Sequence, residues 1–507
     1  MATSSMSFLP KNFPKVKTYK LYINGRWVSS NNGETFVSVN PYSQKPAGFF
    51  QQGSELDVKA AITAAEKAYP SWRDTPAPTR GKILLRASQI FQERKHELGR
   101  IVTEEMGKSI IEGKADVQEV VDIFEYMAGE GRRLFGHTTT SELKDKFAYT
   151  IRVPLGVTLC ITPWNFPIAI PAWKISAALI CGNTIVFKPS SDTPLCATKF
   201  VEILEEAGIP KGVINLVTCS GSTIEAAVTD DRIRAVSFTG HKNTGLRITQ
   251  IAGIKRVSLE LGSKNAIIVM DDADLDLAVD GAVWAAFGTQ GQRCTATSRI
   301  IVHKKIKKEF EKKLVARVKK LKYGNPLDPK IQLGPLVNKQ QLDKYVKYLH
   351  IGEREGAKLL HFGGAVNNTM FALPTVFTNA KPNMNICRDE IFAPILVILE
   401  CKDLKDAISI SNAVDYGLVS SIYTKDIGNA MKASQKLETG ITYINAPTIG
   451  AEVHLPFGGV KKSGNTREAG IVGIDEFTEL KTIYIDYSGK LQRAQIEPYL
   501  NSGDKKK

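Results

Sequence analysis

The sequence lacks the features that identify several large classes of protein. No apolar run reaches the roughly 20 residues of a membrane span. Residues 1–20 contain neither the apolar core of a secretory signal nor the arginines of a transit peptide. There is no internal repeat, and the Lys505-Lys506-Lys507 tail is the one low-complexity segment. We therefore expect a cytoplasmic protein with no membrane partner.

Cysteine pairs and nucleic-acid motifs are also missing. The seven cysteines are scattered without a CxxC pair, so neither a disulfide framework nor a metal site is expected. The formal net charge is +15, but the lysines are spread along helical stretches such as 304–321, whose apolar residues form one inner face. No aromatic-basic RNA motif accompanies them. We expect no nucleic-acid partner, and an anionic cofactor or substrate at most.

What the sequence does contain is a long α/β pattern. Its 507 residues exceed one hydrophobic core, which predicts two or three domains. Strand-like and helix-like periods alternate from 156 to 269, with apolar runs at 156–161, 184–187, 213–218, 234–238 and 266–269. The intervening helices begin near Ile168, Thr193, Ser222 and Lys242. This βαβ series predicts a parallel sheet that binds a nucleotide at the carboxyl ends of its strands.

The chain before that series predicts a hairpin and a group of helices. The hairpin covers 21–28 and turns at Asn24-Gly25, a dipeptide suited to a type I′ turn. Helices are predicted from near Ser54, over 79–107 and over 115–129. The acidic residues of the last helix are expected on its outer face. These segments contain no motif that indicates a function.

Two strands far apart in the sequence stand outside the βαβ series. Apolar and polar residues alternate at 147–153, and a similar strand covers 483–487. They suggest a pairing arm that reaches across subunits. Pairing of the two strands within one chain is the alternative, since an exposed strand edge tends to find a partner.

Two strand ends of the series carry groups suited to phosphate or ribose. The 184–187 run leads into Lys188-Pro189-Ser190-Ser191, which supplies a cation and two hydroxyl groups. The 234–238 run leads into a glycine-bounded turn, 239–245, that opens a helix whose N-terminus attracts an anion. Either turn alone could serve only to tighten a loop. Together they favour a nucleotide ligand.

Cys294 follows a helix that is broken by glycines. The helix begins at an acidic segment, 271–274, and one face of it is apolar. Gly288 and Gly291 then end the helix, and glycines allow the backbone to approach a ligand closely. A thiol held there can be partly exposed, as a nucleophile must be. The alternative is a buried structural cysteine.

Short motifs that follow one another along the chain resemble those of the aldehyde dehydrogenase superfamily, from about residue 20 to residue 487. They are 162–167 (TPWNFP), 182–184 (GNT) with 188–189 (KP), 238–240 (FTG) with Gly245, 259–262 (LELG), 291–294 (GQRC), 390–394 (EIFAP), and 456–459 (PFGG) with 463–464 (SG). Arg293 beside the cysteine, together with the runs 150–154, 188–194 and 450–454, looks similar to the branch of the family that contains 2-oxoglutarate-semialdehyde and archaeal glyceraldehyde dehydrogenases.

The resemblance implies an α/β fold with three parts. A Rossmann-like cofactor domain would comprise 1–137 and 156–264, and an α/β catalytic domain would comprise 265–465. A β-arm for oligomerisation and the C-terminal tail would comprise 138–155 and 466–507. Members of this family commonly form dimers or tetramers, so we expect a homo-oligomer.

The resemblance also assigns roles to individual residues. Cys294 would be the nucleophile, Glu260 the general base and Asn165 a donor to the oxyanion. The residues expected to bind NADP or NAD are Ile161, Thr162, Pro163, Trp164, Lys188, Ser190, Ser191, Gly240, His241, Gly245, Leu261, Glu390 and Phe392. The residues expected to bind the small-molecule aldehyde are Phe166, Trp173, Arg293, Thr295 and Phe457.

These residue types suit the oxidation of an aldehyde to an acid. A neutral carbonyl is a poor hydride donor, and attack by the Cys294 thiolate creates an oxyanion beside the C–H bond. The resulting thiohemiacetal loses hydride to nicotinamide and becomes a thioester, which Glu260 hydrolyses by activating water. A CoA-acylating semialdehyde dehydrogenase, in which CoA replaces water, and a non-enzymatic protein that keeps the fold are the alternatives.

Three departures from the family pattern bear on specificity. Ser263 stands where a second glycine is usual and could alter how Glu260 moves. His241 replaces a serine near the pyrophosphate, which predicts a cofactor affinity that depends on pH. Ser191 stands where many NAD-preferring members have glutamate, so NADP is slightly favoured. For the substrate we expect a small polar or carboxylated aldehyde.

Overall fold

The computed structural model describes residues 16–496. The chain up to the first parallel sheet forms a small β-unit, four helices and two arm strands. These are β1 (Thr18–Tyr19), β2 (Leu21–Ile23), β3 (Arg26–Val28), β4 (Thr35–Val39), β5 (Pro46–Gln51), α1 (Glu55–Asp74), α2 (Ala77–Glu93), α3 (Lys95–Met106), α4 (Ile110–Glu130), β6 (Thr138–Thr139) and β7 (Lys146–Pro154). Within the described range, no helix is long and apolar enough to cross a membrane.

The next segment alternates strand and helix as the hydrophobic periods predict. Its elements are β8 (Val157–Ile161), α5 (Ala169–Cys181), β9 (Thr184–Lys188), α6 (Pro194–Glu206), β10 (Ile214–Leu216), α7 (Gly221–Thr229), β11 (Ile233–Thr239), α8 (Lys242–Ile251) and β12 (Arg256–Glu260). The first seven-stranded sheet has the order β12-β11-β8-β9-β10-β2-β3, and its five strands from this segment are parallel. The predicted βαβ series is therefore confirmed over 157–260.

The remaining chain builds a second sheet. Its elements are β13 (Asn265–Val269), α9 (Leu275–Phe287), β14 (Thr297–His303), α10 (Lys307–Val318), α11 (Lys339–Arg354), β15 (Lys358–His361), β16 (Gly364–Ala365), β17 (Ala372–Leu373), β18 (Thr375–Thr378), α12 (Asn385–Arg388), β19 (Ile395–Cys401), α13 (Leu404–Asn412), β20 (Tyr416–Gly417), β21 (Val419–Tyr423), α14 (Ile427–Lys436), β22 (Ile441–Ile444), β23 (Val460–Lys461) and β24 (Thr478–Asp486). This seven-stranded sheet has the order β15-β18-β19-β14-β13-β21-β22. The prediction that 266–269 continues the first series is wrong, because β13 pairs with β14 and β21.

The N-terminal predictions are confirmed in part. β2 and β3 form the predicted hairpin, and Asn24 (φ 51°) and Gly25 (φ 71°) have the positive φ that a type I′ turn needs. The helical stretch predicted over 79–107 is confirmed, but it consists of two helices, α2 and α3, which meet at Arg94. No glycine or proline marks that junction, so the pattern could not reveal it.

The acidic face of α4 is not an outer face, which corrects a second prediction. The helix begins earlier than predicted, at Ile110, and Ser109 caps it by accepting a hydrogen bond from the Glu112 amide. Glu112 and Asp116 are buried. Buried carboxylates need hydrogen bonds or cations, and both residues have such partners, described below.

The two arm strands pair with each other within the chain. β24 and β7 are antiparallel from Thr478 opposite Pro154 to Asp486 opposite Lys146. β6 lies on the other side of β7, so β24 forms an edge of this three-stranded sheet. The structure therefore shows the alternative of pairing within one chain, and pairing between subunits stays a prediction.

Candidate active site

The loop that carries Cys294 leaves α9 through a strained turn. Asp274 caps the start of α9 by accepting hydrogen bonds from the amides of Asp276 and Leu277. A 3₁₀ turn, Gly288–Gly291, follows the helix, and within it Thr289 (φ 50°) and Gln290 (φ 55°) are left-handed. Left-handed non-glycine residues cost free energy and persist only where the surroundings hold them.

Glu112 of α4 holds this turn from the opposite side. Its Oε1 accepts hydrogen bonds from the Thr289 amide (2.7 Å), the Thr289 hydroxyl (3.0 Å) and the Arg293 guanidinium (2.9 Å). The Arg293 Nε donates to the Thr289 hydroxyl at 2.8 Å. One buried carboxylate therefore fixes both the strained turn and the arginine beside the nucleophile.

The Cys294 side chain differs from the other six cysteines because it is partly exposed, whereas they are buried. The structural alternative of a buried cysteine is thereby disfavoured. Burial of the sulfur, and then the neighbouring Glu260 and Glu390, raise the pKa of the thiol, while the Thr295 amide donates a hydrogen bond that lowers it. A base or a cation must therefore help the thiol to lose its proton.

Asn265 fixes the backbone on the other side of the nucleophile. Its Nδ2 donates to the carbonyl oxygens of Cys294 (2.7 Å) and Ala296 (3.0 Å). Its Oδ1 accepts hydrogen bonds from the Val419 amide (3.0 Å) and the Ser263 hydroxyl. Ser263, which departs from the family pattern, thus supports the nucleophile loop, and no hydrogen bond joins its side chain to Glu260 in the described range.

Cys294 lies where two cavities meet. The Trp164 cavity, of about 620 Å³, is lined by Pro163, Trp164, Asn165, Ile170, Thr239, Gly240, His241, Leu261, Gly262, Cys294, Gln341, Lys344, Glu390 and Phe392. The Trp173 cavity, of about 780 Å³, is lined by Glu119, Phe166, Ala169, Ile170, Trp173, Thr239, Glu260, Leu261, Arg293, Cys294, Thr295, Gly450, Ala451, Phe457 and Glu468. The nucleophile is accessible from both.

The structure separates the predicted residues between these cavities by role. All five residues expected to bind the aldehyde line the Trp173 cavity. Seven of the residues expected to bind the cofactor line the Trp164 cavity: Pro163, Trp164, Gly240, His241, Leu261, Glu390 and Phe392. The others do not line it, and they lie at the ends of β8 and β9, in the loop after β9 or in α8: Ile161, Thr162, Lys188, Ser190, Ser191 and Gly245.

Asn165, the predicted donor to the oxyanion, lies beside the loop that carries Cys294. It is buried and lines the Trp164 cavity, and its Nδ2 donates to the carbonyl oxygen of Gln292, two residues before the nucleophile, at 3.1 Å. An amide nitrogen has two hydrogens, so one remains for an oxyanion. The loop contact holds the amide close to the cysteine.

Glu260 ends β12 and its carboxyl group packs against glycines. A Cβ atom at Gly458 would lie 2.7 Å from the Glu260 Oε1, and one at Gly464 would lie 3.4 Å from it. This Oε1 is buried without a hydrogen-bond partner in residues 16–496. Burial, and then the nearby Glu468, raise the pKa of Glu260 well above its usual value, while Lys174 lowers it. A carboxyl group with a raised pKa suits a general base that works near neutral pH.

A buried lysine connects Glu260 with two further carboxyl groups. The Lys174 Nζ donates to the Ser237 hydroxyl at 2.9 Å and forms an ion pair with Glu468. Burial and Glu468 raise the pKa of Glu476 to about 8, whereas Lys174 lowers it. Lys174 therefore forms an ion pair with Glu468 and lowers the pKa of both Glu260 and Glu476.

The Glu390 carboxyl group packs directly against the backbone at Gly262, where a larger residue would clash with it. A Cβ atom at Gly262 would lie 2.2 Å from the Glu390 Oε2, and the Ser263 amide donates to Oε1 at 3.0 Å. Burial raises the pKa of Glu390 and Lys344 lowers it. Beside it, the rings of Phe392 and Trp164 meet edge to face at 5.5 Å.

His241 performs the capping role of the serine that it replaces. Its Nδ1 accepts a hydrogen bond from the Asn243 amide at the start of α8, at 3.3 Å. Burial, and then Lys344 and Lys242, lower the pKa of the imidazole. The neutral ring is therefore the form that caps the helix at neutral pH.

The Trp164 cavity and the strand ends beside it have groups that fit a nicotinamide dinucleotide. The hydroxyl groups of Thr162 and Thr239, at or just beyond the ends of β8 and β11, are buried and have no partner among the described residues. The α8 N-terminus opens beside Gly240, and helix N-termini attract phosphate. Such a cofactor can form hydrogen bonds with donors and acceptors at strand ends that have no protein partner.

Sequence reasoning missed several residues of the two cavities. Glu112, Glu119, Glu468 and Lys174 surround the substrate side, and Gln341 and Lys344 of α11 line the Trp164 cavity. The i, i+4, i+7 spacing of 112, 116 and 119 could have shown that these carboxyl groups share one helix face. No signal in the sequence shows that this face is turned inward.

Comparisons with known proteins agree with this site. The family model for the aldehyde dehydrogenase family matches residues 27–483. The chain is 39% identical to alpha-ketoglutaric semialdehyde dehydrogenase of Bacillus subtilis (92% of this chain, 98% of that protein). It is 38% identical to 2,5-dioxopentanoate dehydrogenase of Saccharolobus solfataricus (90% and 98%).

A solved structure is similar over the same extent. The crystal structure of betaine aldehyde dehydrogenase from Staphylococcus aureus in complex with NAD+ has a TM-score of 0.91 and 35% identity, covering 93% of this chain and 95% of that one. The motifs, the partly exposed cysteine between two cavities and these similarities lead to one conclusion. The chain belongs to the aldehyde dehydrogenase family and is an NAD(P)-dependent aldehyde dehydrogenase.

Proposed function

We propose that this enzyme oxidises a small aldehyde that also carries a carboxylate, with 2-oxoglutarate semialdehyde as the foremost candidate. The observation that carries the proposal is Arg293, a cation that lines the Trp173 cavity directly beside Cys294. Its Nε and Nη2 are bound by Thr289 and Glu112, and its Nη1 has no hydrogen bond within 16–496. An arginine held in this way suits a carboxylate. The names of the two sequence relatives support the same substrate.

In the proposed reaction, the Cys294 thiol loses its proton and its sulfur bonds to the aldehyde carbon. The carbonyl oxygen becomes an oxyanion, which the free Nδ2 hydrogen of Asn165 and the Cys294 amide stabilise; one such donor contributes roughly 3 kcal/mol. When bound, the nicotinamide supplies the hydride acceptor. Glu260 then takes a proton from water, the oxygen attacks the thioester carbon, and cleavage of the C–S bond releases the acid.

We further propose that NADP is accepted and slightly favoured over NAD. Ser191 is exposed just beyond the end of β9, where a glutamate would repel a 2′-phosphate. Lys188 ends the same strand, and a phosphate would restore the charge that burial makes unfavourable, since burial lowers the pKa of this lysine.

The assembly of the protein is also a proposal. We keep the division into a cofactor domain, a catalytic domain and an arm, because each large sheet belongs to one of the first two. β24 is the edge of the arm and exposes Leu480, Tyr484 and Ile485. Apolar side chains on an open edge suit pairing with a second copy, so we propose a cytoplasmic homo-oligomer, a dimer or a tetramer.

The test follows NADH and NADPH formation with 2-oxoglutarate semialdehyde, succinate semialdehyde, glyceraldehyde and propanal. We expect the carboxylated aldehydes to give the highest kcat/KM, and Cys294→Ala to abolish all signals. Arg293→Met should lower kcat/KM for the carboxylated aldehydes about 100-fold, since a charged hydrogen bond is worth about 1.5–3 kcal/mol, and should spare propanal.

Two results would contradict the proposal. A preference for propanal in the wild type would exclude a carboxylated substrate. An equal loss on all aldehydes in Arg293→Met, with recovery in neither substrate class by Arg293→Lys, would show that Arg293 only supports the loop. Acyl-CoA formation when CoA is added would instead favour the CoA-acylating reaction.

A further inference from the structure

One face of α4 presents three carboxyl groups toward the substrate side. They belong to Glu112, Asp116 and Glu119. Glu112 is bound by Thr289, Arg293 and the Ser109 hydroxyl. Asp116 is bound by the Lys108 ammonium (2.9 Å) and by the Ala169 amide (2.9 Å). Two of the three are therefore saturated and serve the structure.

Glu119 is the exception. It lines the Trp173 cavity together with Phe166, Arg293 and Cys294. It is only partly buried, and it forms no hydrogen bond or ion pair with any residue of 16–496. Its carboxyl oxygens are therefore open to the cavity, where water or a polar group of a ligand can bind them.

The charges around Glu119 favour its protonated form. Burial, and then the neighbouring Asp116, raise its pKa to about 8, while Arg293 and Lys108 lower it less and Asp122 adds a small increase. Glu260 and Glu468 supply further carboxyl groups to the lining of the same cavity. The raised pKa therefore favours the carboxylic acid, which can donate a hydrogen bond.

We propose that Glu119 determines specificity by donating a hydrogen bond to an uncharged oxygen of the substrate, the 2-oxo group next to the carboxylate that Arg293 binds. This inference rests on the proposed function, because it requires that carboxylate at Arg293. Arg293 and Glu119 would then read two adjacent groups of one substrate. A cavity with only the arginine would accept any carboxylated aldehyde of suitable length.

The expected discrimination follows from the cost of leaving a donor unpaired. A site built to bind a polar group rejects an analogue that lacks it, by as much as about 10⁴-fold when fully buried. Glu119 is partly exposed, so water can replace the lost partner in part. We expect a preference of roughly 30-fold for the oxo substrate.

The test uses two substrates of equal length. 2-Oxoglutarate semialdehyde and glutarate semialdehyde both have five carbons, one aldehyde and one carboxylate, and they differ only at C2. The ratio of their kcat/KM values is measured for the wild type, Glu119→Gln and Glu119→Leu at pH 7. We expect the ratio to be kept largely by glutamine, whose amide donates, and to fall to about 1–2 in leucine.

The pH dependence of the wild type gives a readout that needs no variant to fold. As pH rises through about 8, Glu119 loses its proton, and its carboxylate repels the oxo oxygen. The ratio should therefore fall with pH in the wild type and stay constant in Glu119→Gln. Taking a ratio cancels the titration of Cys294 and Glu260, because both substrates use them.

Three outcomes would overturn the inference. A wild-type ratio near 1, or an equal loss on both substrates in Glu119→Leu, would leave Glu119 without a role in reading the oxo group while the proposed function stands. A ratio that is independent of pH in the wild type would contradict the donor role. If the wild type oxidised propanal but neither carboxylated aldehyde, the proposed function would fail and the inference with it.

Discussion

The Trp173 cavity lies between two groups of carboxyl groups that are built alike but differ in how they share charge. The α4 group consists of Glu112, Asp116 and Glu119. The Glu260 group consists of Glu260, Glu468 and Glu476. Each group has one fully buried lysine, which is Lys108 in the first and Lys174 in the second. In each, the carboxyl group that lacks a partner lines the cavity.

The difference lies in the partners of the other members. In the α4 group, Glu112 and Asp116 have separate hydrogen-bond partners, and Glu119 has none among residues 16–496. In the Glu260 group, Glu468 raises the pKa of both Glu260 and Glu476, and Lys174 lowers both. Groups that interact so closely titrate as one unit. The comparison shows that Glu119 belongs to a group whose other members are paired one to one, whereas Glu260 shares its charged neighbours with Glu476.

The largest expected effect comes from replacing Glu260, the proposed general base. Glu260→Gln should reduce the steady-state rate about 1,000-fold, since a general base contributes roughly 10²–10⁴-fold. The first turnover of reduced cofactor should remain, because the nucleophile is intact and only thioester hydrolysis is blocked. Rapid-mixing absorbance with propanal measures both phases.

The matched control for that variant is Glu119→Gln. With propanal, which has no 2-oxo group, the rate of this variant should stay within about threefold of the wild type, because Glu119 accepts no proton in the proposed reaction. Loss of the first turnover in Glu260→Gln would show instead that Glu260 is needed to deprotonate Cys294.

Replacing Lys108 or Lys174 should destabilise the protein, and neutralising the carboxyl partner of each lysine should restore stability to a different extent. Lys108→Met and Lys174→Met should each lower the free energy of unfolding by about 3–5 kcal/mol, because a buried charge is left unpaired. Lys108→Met/Asp116→Asn should regain most of this, since asparagine can still accept from the Ala169 amide. Lys174→Met/Glu468→Gln should regain less, since two carboxyl groups remain. Denaturant midpoints at one protein concentration measure this, and equal repair would contradict the distinction.

A smaller effect tests whether the α4 group positions Arg293. Glu112→Gln should raise the KM for carboxylated aldehydes about tenfold, because a charge-assisted bond worth about 1.5 kcal/mol is weakened. The control is Ser109→Ala. The Ser109 hydroxyl donates to the Glu112 Oε2, not to the Oε1 that binds Arg293, so its KM should change less than twofold. A KM in Glu112→Gln equal to that of the wild type would contradict a positioning role.

Much of this arrangement could be predicted from the sequence, for a physical reason. The strands and helices of the first sheet follow from hydrophobic period alone, because each element buries one face. Asn165, Glu260 and Cys294 come from three distant segments, and their motifs indicated that they belong together; the structure places all three at the walls of the two cavities.

The inward turn of α4 could not be predicted. Carboxyl groups on a helix usually indicate a solvated face, and only the tertiary partners Lys108 and Arg293 reverse that expectation. The membership of β13 in the second sheet could not be predicted either, because the sequence of an apolar strand does not show which strand it pairs with. Ser263 shows the same limit, since its contact with Asn265 depends on how two loops meet.

The smallest expected effect is that of Glu119 on how the free energy of unfolding depends on pH. The pKa of Glu119 is raised from 4.5 to about 8, so only the unfolded state ionises between these values, and stability is lost as pH rises through that window. Glu119→Gln removes this loss. Relative to the wild type, its free energy of unfolding should rise by about 1 kcal/mol from pH 5 to pH 9, a modest figure because the side chain is partly exposed. Urea midpoints measure it, with exposed Glu125→Gln on the same helix as the control, and a constant difference between Glu119→Gln and the wild type would show that Glu119 is already ionised at neutral pH.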